Sequence, residues 1–267
     1  MQNNFLDNSL KSLNLKNSPI FDKEEHAKYV KDWREQYVGQ AVAVLRPVNT
    51  KEVSSILKFA HKNKIDVVPQ GGNTSLCGAA TPDETGKSII ISLEKMNNVR
   101  AFNKEAQTIT VDSGIILSKI HEIVEEQNLF FPLSLGAQGS CMIGGNLSTN
   151  AGGVNVLKYG NTRELCLGLE IVLPDGKIMN LLSELKKDNT GYDLKNLFIG
   201  AEGTLGIIIS ASFIVMKKAK MPVIRVVNII RIKIGSVNVP KISFIPTAAP
   251  VLVREIIYVY KLHLFFY

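Results

Sequence analysis

Apolar residues recur along most of the chain at two alternating periods. After Thr50, a residue able to cap a helix, Val53, Ile56, Leu57 and Ala60 fall at i, i+3, i+4 and i+7 spacing, which predicts an amphipathic helix. Ile116, Leu117, Ile120, Ile123 and Val124 predict another. Short β-branched runs at 41–46, 65–68, 88–92 and 107–111 read as strands, and 206–215 alternates over the length of a longer one. Residues 165–182 read as a hairpin turning at Pro174-Asp175-Gly176, where proline presets φ and glycine tolerates the left-handed position. A mostly polar helix is expected over 24–38, around Tyr29, Val30, Trp33 and Tyr37, and a short one over 193–199. Residues 1–20 show no period and read as a loose leader. Strands alternate with helices, so the chain is α/β or α+β and neither a bundle nor a sandwich.

Composition narrows the function classes. With 267 residues, 45% of them hydrophobic, the chain can bury a sizeable core. No run approaches the roughly 18 consecutive apolar residues that a membrane-spanning helix needs, and residues 1–20 contain no apolar signal-peptide segment. Cys77, Cys141 and Cys166 are too few and too unevenly spaced for a disulfide framework or a metal knuckle, so free thiols, no metal and a cytoplasmic location are expected. The net charge of +7 invites a nucleic-acid partner until its position is read. Residues 219–267 hold seven basic residues against the single acid Glu255, leaving 24 basic and 23 acidic residues in 1–218. The body is electrically ordinary, and no nucleic-acid partner is expected.

Glycine points to the chemistry. Seven glycines fall between Gly136 and Gly160, several times what an average usage of about 7% supplies. Glycine lets main-chain N–H groups approach a ligand with no Cβ in the way, which is how loops cradle pyrophosphate. One such loop, Pro69-Gln70-Gly71-Gly72-Asn73-Thr74-Ser75-Leu76, follows a predicted strand. The second runs from Pro132 to Asn146, with a short helix expected near Gly144 whose first amides would face an anion. Neither is a GxGxxG fingerprint or a GxxxxGK[ST] loop, so Rossmann and Walker sites are disfavoured. Spacing alone leaves turns and phosphate cradles both open. A third segment, Gly200-Ala201-Glu202-Gly203-Thr204-Leu205-Gly206, reads as a helix-to-strand turn.

In order, VVPQGGNTSL, PLSLGAQGSCMIGGNLSTNAGGVNVLKYG, LGLEIVLPDG and NTGYDLKNLFIGAEGTLGIIISASF closely resemble the FAD-binding domain of the vanillyl-alcohol oxidase and p-cresol methylhydroxylase superfamily. Within it the chain looks most like D-2-hydroxyglutarate dehydrogenases and related D-lactate dehydrogenases. The resemblance covers residues 21–218 and implies an α+β fold of two subdomains with FAD between them. It implies that Gln70, Gly71, Gly72, Asn73, Thr74 and Ser75 wrap the pyrophosphate. It further implies contacts to the rest of FAD from Pro132, Gly139, Ser140, Ile143, Gly144, Gly145, Asn150, Ala151 and Gly152, with Glu202, Gly206 and Ile207 closing the adenine side. Some relatives tether FAD through a histidine in the first loop; none stands here, which implies non-covalent FAD. Arg163 is either a cation near the flavin or part of a structural salt bridge. His26, His61 and His121 are expected to be solvent-facing, without a catalytic role.

The family's reaction is oxidation of a 2-hydroxy acid, with hydride passing from Cα to flavin N5 and a base within about 3 Å of the hydroxyl. Relatives carry that base, the carboxylate clamp and the metal ligands in a second domain that follows the segment matched here. Residues 219–267 do not resemble it: 17 of them are Ile or Val, and the composition fits either a shifted reading frame or a lineage-specific extension. The expected organisation is a leader (1–20), an FAD-binding domain (21–218) and an atypical tail (219–267), C-terminally truncated relative to the family. No catalytic residue is assigned. The alternative is a non-catalytic interaction protein whose basic, β-branched tail pairs with a partner or an anionic membrane surface.

Overall fold

The computed structural model describes residues 2–218, together with the backbone of 228–234 and 237–243. The tail expectations about 219–227, 235–236 and 244–267 therefore lie outside the described residues. Two compact units are present, one through Lys217 and one from Lys218 onward.

The first unit is built on two sheets. Strands β1 (Ala43–Leu45), β2 (Val67–Gln70) and β3 (Ile89–Ser92) form a parallel sheet in the order β1-β3-β2. Both faces are covered, as a parallel sheet requires. Ala43, Leu45, Ile89 and Ile91 pack with the buried stripe of α3 (Thr50–Asn63), while Val44 and Ile90 face Ile20 and Tyr29. The helix α3 begins one residue earlier than its apolar spacing suggested. Asn49 is its N-cap and accepts from Glu52 N at 2.9 Å, and Lys64 ends it in the left-handed conformation at φ 54°. The Thr50 hydroxyl, freed from capping, donates to Glu170 at 3.0 Å.

The second sheet is antiparallel, in the order β4-β5-β9-β7-β8, with β4 Val99–Asn103, β5 Thr108–Asp112, β7 Cys166–Val172, β8 Ile178–Leu181 and β9 Ile207–Ile214. The β7–β8 hairpin turns at Gly176, φ 81°, as its turn residues predicted. One face packs on α4 (Leu117–Glu126) and α5 (Ile143–Ser148) through Val111, Leu169, Phe213, Ile120 and Leu147, with Phe131 edge-on to Phe213 at 5.3 Å. A short pair, β6 (Leu129–Phe130) with β10 (Met216–Lys217), lies at the end of β9.

The sheets meet where Val172, Ile207 and Ile209 enter the core of the parallel layer. Arg100 of β4 ties strands of the antiparallel sheet, with Nε on Asp112 at 2.6 Å and Nη1 on Glu170 at 2.5 Å, and its Nη2 donates across the seam to Thr50 Oγ1 of α3 at 3.4 Å. Ser54 Oγ donates to Gly176 O at 2.6 Å, fixing α3 to the hairpin turn. The second unit contains a hairpin of its own, Asn228–Ile234 antiparallel to Val237–Ser243.

Two sequence expectations are corrected. Residues 1–20 are not a loose leader: α1 spans Gln2–Lys11, Leu10 is fully buried, Leu6 and Leu13 pack on the same cluster, and Ile20 pairs its backbone with Val44. The helix expected over 24–38 is cut to α2, Lys23–His26. In the rest of the expected helix, buried Asp32 organises a turn, accepting from Tyr37 N at 2.8 Å and Arg34 N at 3.4 Å, while Glu35 adopts φ 56°. Those main-chain donors, Tyr37 first, hold the Asp32 carboxyl below its usual range. A short acceptor that satisfies amides ahead of it in the chain competes directly with helix formation. Among the described residues no helix is long and apolar enough to cross a membrane.

Candidate functional site

A cavity of about 560 Å³ opens at the seam between the sheets. Three segments wall it: the loop leaving β2, the loop that runs into α5, and the turn that starts β9. The first leaves β2 at its C-terminal residue Gln70, and the third enters β9 at Ile207. The loops approach one another backbone to backbone. A Cβ on Gly72 would strike the Ser140 carbonyl oxygen and lie 3.0 Å from Cys141 Cα, and one on Gly203, φ 79°, would meet Pro69 Cγ at 2.6 Å.

The first loop supplies donors. The main-chain N–H groups of Gly71, Gly72, Asn73, Thr74, Ser75 and Leu76 have no acceptor among the described residues. Consecutive uncommitted amides on a cavity wall are groups that could hold an anion. Opposite them, a Cβ on Gly145 would meet nothing within 4 Å, so the space in front of that residue is open. Gly144 behaves differently from expectation, because its N–H is spent on Ser113 O at 2.8 Å and its Cα packs on Ser113; of the two glycine amides, Gly145's alone stays available.

The structure brings together Gln70, Gly71, Gly72, Asn73, Thr74, Ser75, Gly144, Gly145, Ala151, Glu202, Gly206 and Ile207 on the cavity wall. Several do so as scaffold. Gln70 Nε2 donates to both Tyr29 O and Ala80 O at 2.8 Å, tying the loop to α2's exit, and Asn73, held at φ 51°, donates Nδ2 to Lys31 O at 2.7 Å. Ser75 Oγ is engaged by Cys77, 3.0 Å from Sγ. Pro132, Gly139, Ser140, Ile143, Asn150 and Gly152 do not line the cavity. Ile143 is wholly buried in the core, Pro132 O accepts from Asn155 Nδ2, and Asn150 Oδ1 accepts from Arg163 N. Arg163 does not line the cavity and makes no salt bridge among the described residues; its guanidinium donates to Asn196 O at 2.8 Å and Ile199 O at 2.6 Å, holding the short helix Lys195–Phe198 and the turn after it.

Among the lining residues that sequence reasoning did not single out are Leu135, Gly136, Ala137, Asn146 and Thr149. Gly136 sat inside the glycine excess that marked the loop, whereas Asn146 carried no signal that spacing could isolate. The histidines were misplaced in part: His26 is buried with Nε2 2.9 Å from Ile20 O, and His121 holds Leu133 O at 2.8 Å. Among the described residues no three His, Cys, Asp or Glu side chains form a metal-binding group.

All three cysteines are free, as expected, but they differ in reactivity. Burial pushes the Cys141 thiol up and the Cys166 thiol up to about 12, so both stay protonated at neutral pH. Cys77 is exposed at the cavity edge. A thiol reagent is expected to modify Cys77 rapidly in the native protein, leaving Cys141 and Cys166 until denaturant is added; three equal rates in a mass-spectrometric time course would contradict the burial assignments.

Known proteins supply the comparison. Residues 41–182 match the model of a family described as FAD binding domain. Over 199 residues the chain is 45% identical to the D-2-hydroxyglutarate–pyruvate transhydrogenase of Saccharomyces cerevisiae, covering 74% of this chain and 39% of that protein. It is 47% identical over 197 residues to the mitochondrial D-2-hydroxyglutarate dehydrogenase of Bos taurus, covering 73% and 36%. The chain thus spans well under half the length of these relatives. Two solved structures share the fold. Alkyldihydroxyacetonephosphate synthase has a TM-score of 0.71 at 23% identity, covering 80% of this chain and 40% of that one. The 6-hydroxy-D-nicotine oxidase of Arthrobacter nicotinovorans has 0.65 at 17%, covering 77% and 43%. A matched segment running from β1 to the end of the β7–β8 hairpin takes in both glycine loops and the seam between the sheets, and the chain belongs to the FAD binding domain family.

Proposed function

We propose that this chain is the flavin-holding part of an FAD-linked D-2-hydroxy acid dehydrogenase, binding FAD non-covalently in the seam cavity. The observation that carries the reading is the row of uncommitted amides from Gly71 to Leu76 facing the open space at Gly145. Bound there, FAD supplies hydride-accepting chemistry; the protein supplies position and exclusion of water. Gly71, Gly72, Asn73, Thr74 and Gly145 hold the pyrophosphate through main-chain N–H groups, and Gln70 and Ser75 keep the first loop in shape. Ala151, Glu202, Gly206 and Ile207 border the remaining length of the dinucleotide, while Pro132, Ser140, Ile143, Asn150 and Gly152 support the second loop from behind, with Gly139 at its exposed tip. The flavin-holding domain is 21–218 with the α1 segment docked on it, and 219–267 is a separate tail. D-2-hydroxy acid substrates require groups beyond those described, and a cytoplasmic location is part of the reading, although the bovine relative is named as mitochondrial.

No lysine or arginine lines the cavity, and among the described residues its one carboxylate is Glu202. A dianionic pyrophosphate is then held by neutral main-chain donors, with no side-chain ion pair for salt to screen. Reconstituted protein is expected to bind FAD with an affinity changing less than about threefold between about 50 mM and about 500 mM salt. Denaturation followed by ultrafiltration should release all of the flavin. Folded protein that takes up no FAD, or that retains flavin after denaturation, would refute the corresponding half of the reading.

A further inference from the structure

Six buried side-chain polar atoms lack a hydrogen-bond partner among the described residues, on Arg34, Arg46, Thr81, Ser88, Asn146 and Asn196. Asn146 alone of these six residues lines the cavity. It stands in α5 directly after Gly145, whose missing Cβ leaves the approach open, and it is 6% exposed. Its main chain is fully committed, N to Met142 O at 3.1 Å and O from Ala151 N at 2.8 Å. What remains is a buried carbonyl oxygen on a binding wall with no donor from the protein. A buried acceptor left unmatched is costly, and native structures carry few of them.

We infer that Asn146 is a direct contact of the bound dinucleotide, its Oδ1 accepting a hydrogen bond from a hydroxyl or N–H of FAD. The inference rests on the FAD reading above. FAD offers such donors along its whole length, on the ribityl chain and ribose, at flavin N3 and on the adenine amine. Anion recognition is thereby left to the backbone, and Asn146 supplies a neutral, geometry-dependent contact that an unrelated polyanion would not satisfy.

The role predicts opposite effects on the empty and loaded protein. Asn146→Leu removes an unmatched acceptor from the FAD-free protein, so its melting temperature should equal or exceed that of the wild type. The same change deletes a ligand contact, so the Kd for FAD should rise about tenfold, and the stabilisation by saturating FAD should shrink accordingly. Asn146→Ala, which asks less of the surrounding packing, carries the test if the leucine variant does not fold. Titrations with FMN and ADP locate the donor: a loss for FMN puts it on the flavin and ribityl half, and a loss for ADP puts it on the adenosine half. Unchanged Kd values for FAD in a folded variant would overturn the inference. A wild-type protein that takes up no FAD would instead refute the reading on which it rests.

Discussion

Gly72→Val and Gly145→Val are both expected to abolish FAD binding, and they should do so by different routes. Neither glycine has a positive φ, so the left-handed conformation is not what requires glycine at either position. At Gly72 the requirement is packing between loops. A Cβ runs into the Ser140 carbonyl oxygen, with Cys141 Cα at 3.0 Å and Met142 N at 3.1 Å, all of it backbone that cannot swing aside. The two walls of the cavity must separate to admit the side chain. The Gly72 variant should therefore lose stability, by about 1 to 3 kcal/mol for overpacking, together with ligand binding. At Gly145 the space is open, and an added Cβ meets nothing within 4 Å in the ligand-free protein. That variant should fold with a melting temperature close to wild type while its isopropyl group stands where the dinucleotide must pass. Paired thermal melts and FAD titrations check both. A Gly145 variant that binds FAD normally would move the ligand away from α5.

Both β-strand periods and both buried helices were legible because their apolar positions are decided locally. Val53, Ile56, Leu57 and Ala60 are all buried, and the strand pattern at 206–215 became the central strand of the larger sheet. Failures occurred where a polar side chain or a distant contact overrode the local pattern. Asp32 replaced a helix by a turn through bonds to its own neighbours' amides, and no periodicity registers a single competing acceptor. The docking of α1 was visible in principle, since Leu6, Leu10 and Leu13 fall at i, i+4 and i+7, but the asparagines on either side, Asn3, Asn4, Asn14 and Asn17, obscured it. Within the site, glycine density located both loops, whereas the roles of individual residues depended on which amides the protein itself consumes. Gly144 and Gly145 are indistinguishable in sequence. Only the Ser113 carbonyl separates them.

The FAD-loaded chain alone is expected to show no appreciable oxidation of D-2-hydroxyglutarate or D-lactate. Reduction of flavin by a 2-hydroxy acid needs a base at the substrate hydroxyl and a clamp for the carboxylate. The titratable side chains on the cavity wall are Cys77, Cys141 and Glu202. Burial keeps the Cys141 thiol protonated, and Glu202 Oε2 lies 3.8 Å from Cys77 Sγ, beside the loop assigned to pyrophosphate. No arginine or lysine among the described residues reaches the cavity to bind a substrate carboxylate. Absence of a general base costs about 10² to 10⁴ in rate, and loss of positioning adds several kcal/mol to the barrier. Anaerobic mixing with either acid should leave the flavin's visible absorption unbleached over the time in which the yeast transhydrogenase is fully reduced, whereas dithionite should bleach it at once. Bleaching by substrate at a rate comparable to that relative would mean that residues outside those described complete the site, and the chain would then be a working dehydrogenase in its own right.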